Sequence, residues 1–170
     1  GIVSRLANRI DGVIKQYFDQ YRKQGEMPPM IEGKVEGKLQ NPFQETYFYG
    51  YNEKYGLKGK LDECLVMADG KYAPVDHKTT SSDPRGREIF PAYQAQLDMY
   101  AFLLEANQRP TTGFGHLIYF YPDISETLHD GFPMVVHIQT LQTDPLRAKE
   151  LLVKAIEVLE GSMPSSSAAR

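Results

Sequence analysis

From Ser4 to about Tyr21, the residues Leu6, Ile10, Val13, Ile14, Tyr17, Phe18 and Tyr21 recur at intervals of three and four. That spacing lines one side of an α-helix, and a helix is expected here. Asp11 sits beside the stripe, four residues from Ala7, three from Ile14 and seven from Phe18. A carboxylate at that edge needs a partner or faces a cleft. Residues 22 to 56 hold no period, being punctuated by Gly25, Pro28, Pro29, Gly33, Gly37, Pro42 and Gly50. Their aromatic cluster, Tyr47, Phe48, Tyr49, Tyr51 and Tyr55, is either a cover over the core or a platform on which bases stack.

Two apolar-rich runs follow between Leu57 and Thr80, separated by Asp69-Gly70, and they predict a β-hairpin. The Gly/Pro loop from Ser81 to Glu88 carries Arg85 and Arg87, which either hold phosphates or stand in solvent. Ala92 to Asn107 reads as a helix with Leu97, Tyr100, Ala101 and Leu104 inward, and Gln96 lies one turn before Tyr100. Phe114–Tyr121 and Met134–Leu141 predict two antiparallel strands. Asp144 then caps a last helix with Pro145 at its first position. Its apolar side is Leu146, Leu151, Leu152, Ala155, Ile156 and Leu159, and Gly161 stops it. The order predicts an α/β fold in which a mixed central sheet is flanked by helices. A single domain is expected over 1–160, with a flexible tail over 161–170.

The hairpin carries three charged residues that a core would not choose: Asp62, Asp76 and Lys78. Two residues apart on a strand, Asp76 and Lys78 share a face. Whether Asp62 joins them depends on the turn. A two-residue turn at Asp69-Gly70 sets Asp62 against His77 and away from Asp76. A three-residue loop, Ala68-Asp69-Gly70 with Gly70 left-handed, sets Met67 against Lys71 and Asp62 against Asp76. The second register also opposes Lys60 to Lys78 and gathers Leu57, Leu61, Leu65, Met67, Ala73 and Val75 on the other face, and we predict it. Glu63 then falls among the apolar residues without an explanation.

Composition narrows the chemistry. The chain has 170 residues, 41% hydrophobic and 24% charged, which suits a globular domain. No run is long and apolar enough to span a bilayer and the start lacks a signal pattern, so an intracellular (cytoplasmic), soluble chain without a membrane partner is expected. A net charge of −3 argues against a protein that coats nucleic acid by charge alone, but not against a local basic rim around an acidic site. Cys64 is the only cysteine, so neither an intrachain disulfide nor a cysteine metal cluster forms within these residues; it reads as a packed thiol. His116, His129 and His137 lack ligand spacing.

Phosphodiester hydrolysis needs an acidified water and a counter-charge for the phosphoryl oxygens and the leaving group, and carboxylate-held divalent metals supply both. Oxygen ligands suit Mg²⁺ or Mn²⁺. Asp62 and Asp76 are candidate catalytic residues as the carboxylates that hold the metals, and Lys78 is a candidate for polarising the water or stabilising the transition state.

GLKGKLDECLV, YAPVDHKTTS and YQAQLDMYAFLLEA together resemble three motifs of the RecB-like branch of the PD-(D/E)XK nuclease superfamily. The resemblance implies a restriction-endonuclease-like αβββαβ core. It also implies that Asp62 ends a GxxD segment begun at Gly59 and that Asp76-His77-Lys78 is the D/E-x-K signature. The backbone carbonyl of His77 would then serve a metal, and Gln96 and Tyr100 would form a QxxxY pair that guides the strand and supports Lys78. The family's helical GxxxH has Ala7 and Asp11 in its place here, so Asp11 would stand for a metal-binding His. Relatives that include CRISPR-associated RecB-like exonucleases carry an iron–sulfur cluster on four cysteines, which this chain does not support.

Two function classes remain. One is an Mg²⁺- or Mn²⁺-dependent nuclease cutting DNA single strands or ends in repair, recombination or CRISPR- or phage-related processing, with helicase or CRISPR/recombination partner proteins. The other is a catalytically inactive nucleic-acid-binding or interaction module with the same fold.

Overall fold

The computed structural model of the chain describes residues 2–124 and 131–162. His129 and residues 163–170 of the expected tail lie outside the described residues. Helix α1 (Ile2–Gln24) leads into β1 (Lys38–Leu39), β2 (Thr46–Gly50), β3 (Gly56–Lys60), β4 (Glu63–Val66) and β5 (Tyr72–Thr79). Helix α2 (Pro91–Ala106), strands β6 (Phe114–Pro122) and β7 (Met134–Gln142), and helix α3 (Pro145–Glu157) follow, the last running into a π-helical turn at Val158–Ser162.

The central sheet has the order β1-β4-β5-β6-β7. β5 and β6 are parallel and the other neighbours antiparallel. The parallel pair needs a crossover, which α2 supplies. Ile14 and Phe18 of α1 pack with Leu65, Ala73, Val75, Ile118 and Phe120 on one face. Leu97, Tyr100, Leu103 and Leu104 of α2 pack with Tyr47, Leu61, Cys64 and Leu117 on the other. The fold is thus a mixed α/β sheet flanked by helices, as the element order predicts. Helix α3 lies against α2.

The three-residue turn forms. Met67 N–H donates to the Lys71 carbonyl at 2.8 Å, Gly70 N–H donates to Met67 at 3.0 Å, and Glu63 pairs with Val75. Gly70 has φ +84°, a conformation that suits glycine because it lacks a Cβ.

The first arm of the hairpin is not one strand, however. Leu57 to Lys60 belong to β3, which pairs with β2 in a separate two-stranded sheet, so Lys60 faces Thr46 rather than Lys78. The break has a local cause: Leu61 N–H donates to the Glu45 carbonyl at 2.9 Å instead of continuing the ladder toward β5. Leu61 and Leu57 consequently pack on the α2 side, while Leu65, Ala73 and Val75 pack on the α1 side.

Several side chains depart from the periodic pattern. Leu6 and Val13 on α1 are exposed. On α3, Leu146 and Leu151 are also exposed, as is Leu159 in the π-helical turn after it, leaving Ala148 and Ile156 as the buried contacts of α3. Asp144 caps α3 as expected, accepting from the N–H groups of Leu146 at 3.1 Å and Arg147 at 3.2 Å. Of the aromatic cluster, Tyr47 is fully buried and Tyr49 half-buried against Phe102, whereas Phe48 and Tyr51 are exposed.

Candidate active site

Alternation along β5 divides its residues between the two layers. His77 points to the α1 side, its ring 4.8 Å from that of Phe18 and 5.4 Å from that of Phe120. Burial lowers its pKa to about 4, so the imidazole is neutral near pH 7 and acts as packing. Asp76 and Lys78 point to the α2 side. Lys78 Nζ lies 2.6 Å from Asp76 Oδ2 and donates to Gln96 Oε1 at 3.0 Å. Gln96 Nε2 in turn donates to the Tyr100 hydroxyl at 2.8 Å. Gln96 and Tyr100 stack one turn apart on α2, so the helix presents both to the same strand. Burial, and then the charges of Asp76 and Asp62, raise the Tyr100 pKa, keeping the hydroxyl protonated.

Asp62 occupies the bend between β3 and β4, one position before the Glu63–Val75 pair. Continued by one step, that register sets it opposite Asp76. Its Oδ2 accepts the backbone N–H of His77 at 2.8 Å. Burial and the hydrogen-bonded carboxyl of Asp76 raise its pKa to about 6. Two carboxyls pressed together in a buried place favour sharing a proton or a cation.

Gly59 sets the approach of this corner to α2. A Cβ there would lie 2.5 Å from Leu103 Cδ1 and 3.6 Å from Tyr100 Cε1. Glycine lets β3 come this close to the helix that carries Tyr100 without displacing the Leu103 side chain.

Asp11 is exposed on α1. Partial burial raises its pKa, Asp62 raises it further, and Lys15 and Lys78 pull it back, so it lies within electrostatic range of the pair. Among the described residues, no group of three or more His, Cys, Asp or Glu side chains stands close enough together to hold a metal ion. The structure therefore joins Asp62, Asp76, Lys78, Gln96 and Tyr100 and leaves Asp11 beside them.

The two arginines of the loop separate. Arg85 is bound within its own loop by Asp83, with Nε donating to Oδ2 at 2.8 Å. Arg87 lines a cavity of about 140 Å³ next to Lys78, together with Tyr93, Tyr119, His137 and Gln139. Sequence reasoning missed these last four, because their convergence depends on the parallel pairing of β5 with β6, which no local pattern announces.

It also missed the partner of Glu63. Arg22, near the end of α1, grips that carboxylate with both terminal nitrogens, one of them at 3.1 Å, and donates to the Gln40 carbonyl at 2.5 Å. Burial pushes the Glu63 carboxyl up and Arg22 pulls it back. Cys64 is fully buried and burial pushes its thiol up to about 12, so it is a core side chain rather than a nucleophile. No helix among the described residues is long and apolar enough to cross a membrane.

No curated protein matches the chain in sequence. A solved structure titled "Crystal structure of SSO0001" is similar over 93% of the chain at 17% identity, with a TM-score of 0.47, and the chain spans 58% of that structure's length. A family model described as the PD-(D/E)XK nuclease superfamily matches residues 2–164, nearly the whole sequence. The chain belongs to the PD-(D/E)XK nuclease superfamily.

Proposed function

We propose that the chain is a divalent-metal-dependent deoxyribonuclease of the RecB-like branch, cutting single strands or DNA ends. Its setting is DNA repair, recombination or CRISPR- or phage-related processing, with helicase or recombination proteins as partners, and residues 1–160 act as one nuclease domain. The observation that carries this reading is the pairing of the Asp62 and Asp76 carboxyls beside Lys78, whose ammonium is fixed by Asp76 and Gln96.

The donor set fits Mg²⁺ or Mn²⁺. It consists of carboxylate oxygens, a hard ligand class. Asp76 Oδ2 is buried, and although it is ion-paired with Lys78 it has no aligned hydrogen bond. Asp62 and Asp76 would hold the cation, with the backbone carbonyl of His77 and the carboxylate of Asp11 completing the set. When bound, the metal acidifies a water and offsets charge on the phosphoryl oxygens.

The chain's own residues do the rest. Lys78 places a positive charge where the attacked phosphate gains negative charge. Gln96 holds the lysine in that position, and the protonated Tyr100 hydroxyl orients Gln96. An iron–sulfur cluster has no ligand set in these residues, since the one cysteine is buried in the core.

Mn²⁺- and Mg²⁺-dependent cleavage of single- and double-stranded DNA by the parent protein, Asp76→Ala and Lys78→Ala tests the proposal. Each substitution should lower the rate about 100-fold or more. Cleavage by the variants at the parental rate would refute the assignment. A parent protein that binds DNA and cuts none with either metal would establish the inactive binding module instead.

A further inference from the structure

We propose that the cavity beside Lys78 is a subsite for a single nucleobase of the strand being cut, with Tyr119 and His137 as its stacking surface, Gln139 as its polar contact and Arg87 at its mouth. The inference rests on the nuclease reading and adds to it the form of the substrate: a base enters at least cost from a single strand or a frayed end.

The sheet registers build this place. Lys78 of β5 pairs with Tyr119 of β6, and Tyr119 pairs with His137 of β7. The three side chains therefore form one row across the α2 face, running outward from the acid pair toward the edge strand. Gln139, two positions along β7, stands on the same face. The segment from β5 to α2 folds over the row and closes the cavity, contributing Arg87 and Glu88 to its lining. A group held there is next to the lysine ammonium without occupying the carboxylates.

Its chemistry suits a base rather than a bare phosphate. The Tyr119 and His137 rings lie 6.4 Å apart with planes within 28° of each other, so they offer similarly oriented π faces. Both side chains are half-buried, and burial raises the Tyr119 pKa, keeping the phenol neutral near nucleic acid. Tyr93 serves as a wall, since its ring already meets Lys78 Nζ at 4.1 Å and Phe90 at 5.4 Å.

The Gln139 amide has a donor and an acceptor to match a base edge. Arg87 stands beside Glu88 at the cavity and Lys78 lines it while paired with Asp76, so cationic groups are within reach of the phosphates on either side of a bound base. At about 140 Å³ the space is below the roughly 300–1,000 Å³ of sites for larger ligands. It suits one planar ring system and excludes a base pair. Taking a base out of its stack costs least in a strand that is already single.

The chain contains no tryptophan, so Tyr119→Trp introduces a sole indole into the cavity, which can be excited at longer wavelength than the tyrosines. Its emission, read in EDTA, should change with a short single-stranded oligonucleotide and stay constant with an abasic oligonucleotide of the same length. In cleavage assays Tyr119→Leu should raise KM roughly 5- to 150-fold, the range for losing one base–aromatic stack, with kcat kept within about twofold. Tyr119→Phe should retain the parental KM, because stacking needs the ring and not the hydroxyl. Gln139→Ala, on the edge strand, gives a second KM effect that does not depend on core packing.

An active parent whose KM is unchanged by Tyr119→Leu and Gln139→Ala would overturn the subsite and leave the nuclease reading intact. A parent inactive on all DNA would overturn the nuclease reading, and emission would then decide the subsite alone. A response to bases but not to the abasic strand would keep it, and equal or absent responses would remove it.

Discussion

Substituting Glu63 by leucine should be among the most destabilising single changes available outside the site. Its side chain is 1% exposed and that of Arg22 is 8% exposed, so removing the carboxylate leaves a guanidinium buried without its main counter-charge. Breaking one partner of a buried ion pair costs about 3–5 kcal/mol. A domain of this size has about 5–15 kcal/mol of total stability, so the loss is a large fraction.

At about 2–4 °C per kcal/mol for chains of 150–250 residues, the melting temperature should fall by about 6–20 °C. The double variant Arg22→Met, Glu63→Leu should be more stable than Glu63→Leu alone, because no charge is then left unpaired. It should not regain full stability, since the Gln40 carbonyl loses the donor that Arg22 supplies at 2.5 Å. That unmade hydrogen bond costs about 1–3 kcal/mol. Denaturant titrations of the parent, Arg22→Met, Glu63→Leu and the double variant, followed by circular dichroism, give the coupling energy directly. A Glu63→Leu cost under about 1 kcal/mol, or a double variant equal to the sum of the singles, would refute the reasoning.

Two other substitutions probe the layers around the site. Gly59→Ala should cost about 1–3 kcal/mol by overpacking, because the new methyl would meet the fully buried Leu103 at 2.5 Å. Leu103 lies three residues from Tyr100 on α2, so moving it should also shift Tyr100 and through it Gln96 and Lys78. Cleavage measured well below the melting temperature should therefore fall even where the protein remains folded, and unchanged kcat/KM would separate Gly59 from the site. His116 should make stability fall with acidification. Burial lowers its folded pKa below the ordinary 6.5, so the unfolded chain takes up the proton first. The contribution is present above pH 6.5 and is lost as pH drops through the folded value. His116→Asn should flatten that part of a stability-versus-pH curve, and an unchanged slope would exclude the assignment.

What could be read from the sequence was local. Gly70 announces its turn because its left-handed φ and the hydrogen bonds around it depend on neighbouring residues alone, and the turn then sets the β4–β5 register. Asp144-Pro145 announces the start of α3 for the same reason. The break at Leu61 was hidden because its hydrogen bond goes to Glu45, in a stretch with no period of its own. A continued alternation through Leu57–Leu65 was the natural reading of such a run, yet tertiary pairing sent its two halves to different sheets. Periodicity likewise marked Leu146, Leu151 and Leu159 as the inner side of α3, but a helix buries only what its neighbours reach, and here they reach Ala148 and Ile156. The cavity row failed to appear for a third reason: Tyr119 and His137 meet across the antiparallel β6–β7 pair, but Lys78 joins them only through a parallel crossover.

The neighbouring acids Asp62 and Glu63 show how the fold separates structural charge from chemical charge. Strand geometry sends consecutive side chains to opposite faces. Glu63 enters the α1 side, where Arg22 meets it with two hydrogen bonds. Asp62 turns to the other side and meets a second carboxylate, with the His77 N–H as its donor and a pKa raised to about 6. If burying acids were simply tolerated here, both would be expected to have a cation of their own. Lys78 is ion-paired with Asp76 and tied to Gln96, and among the described residues no cation is paired with Asp62, so the pair carries more negative than positive charge. Such an excess is costly in a buried place and is expected where a cation is to be taken up. The contrast between these adjacent residues supports assigning the deficit to function rather than to packing.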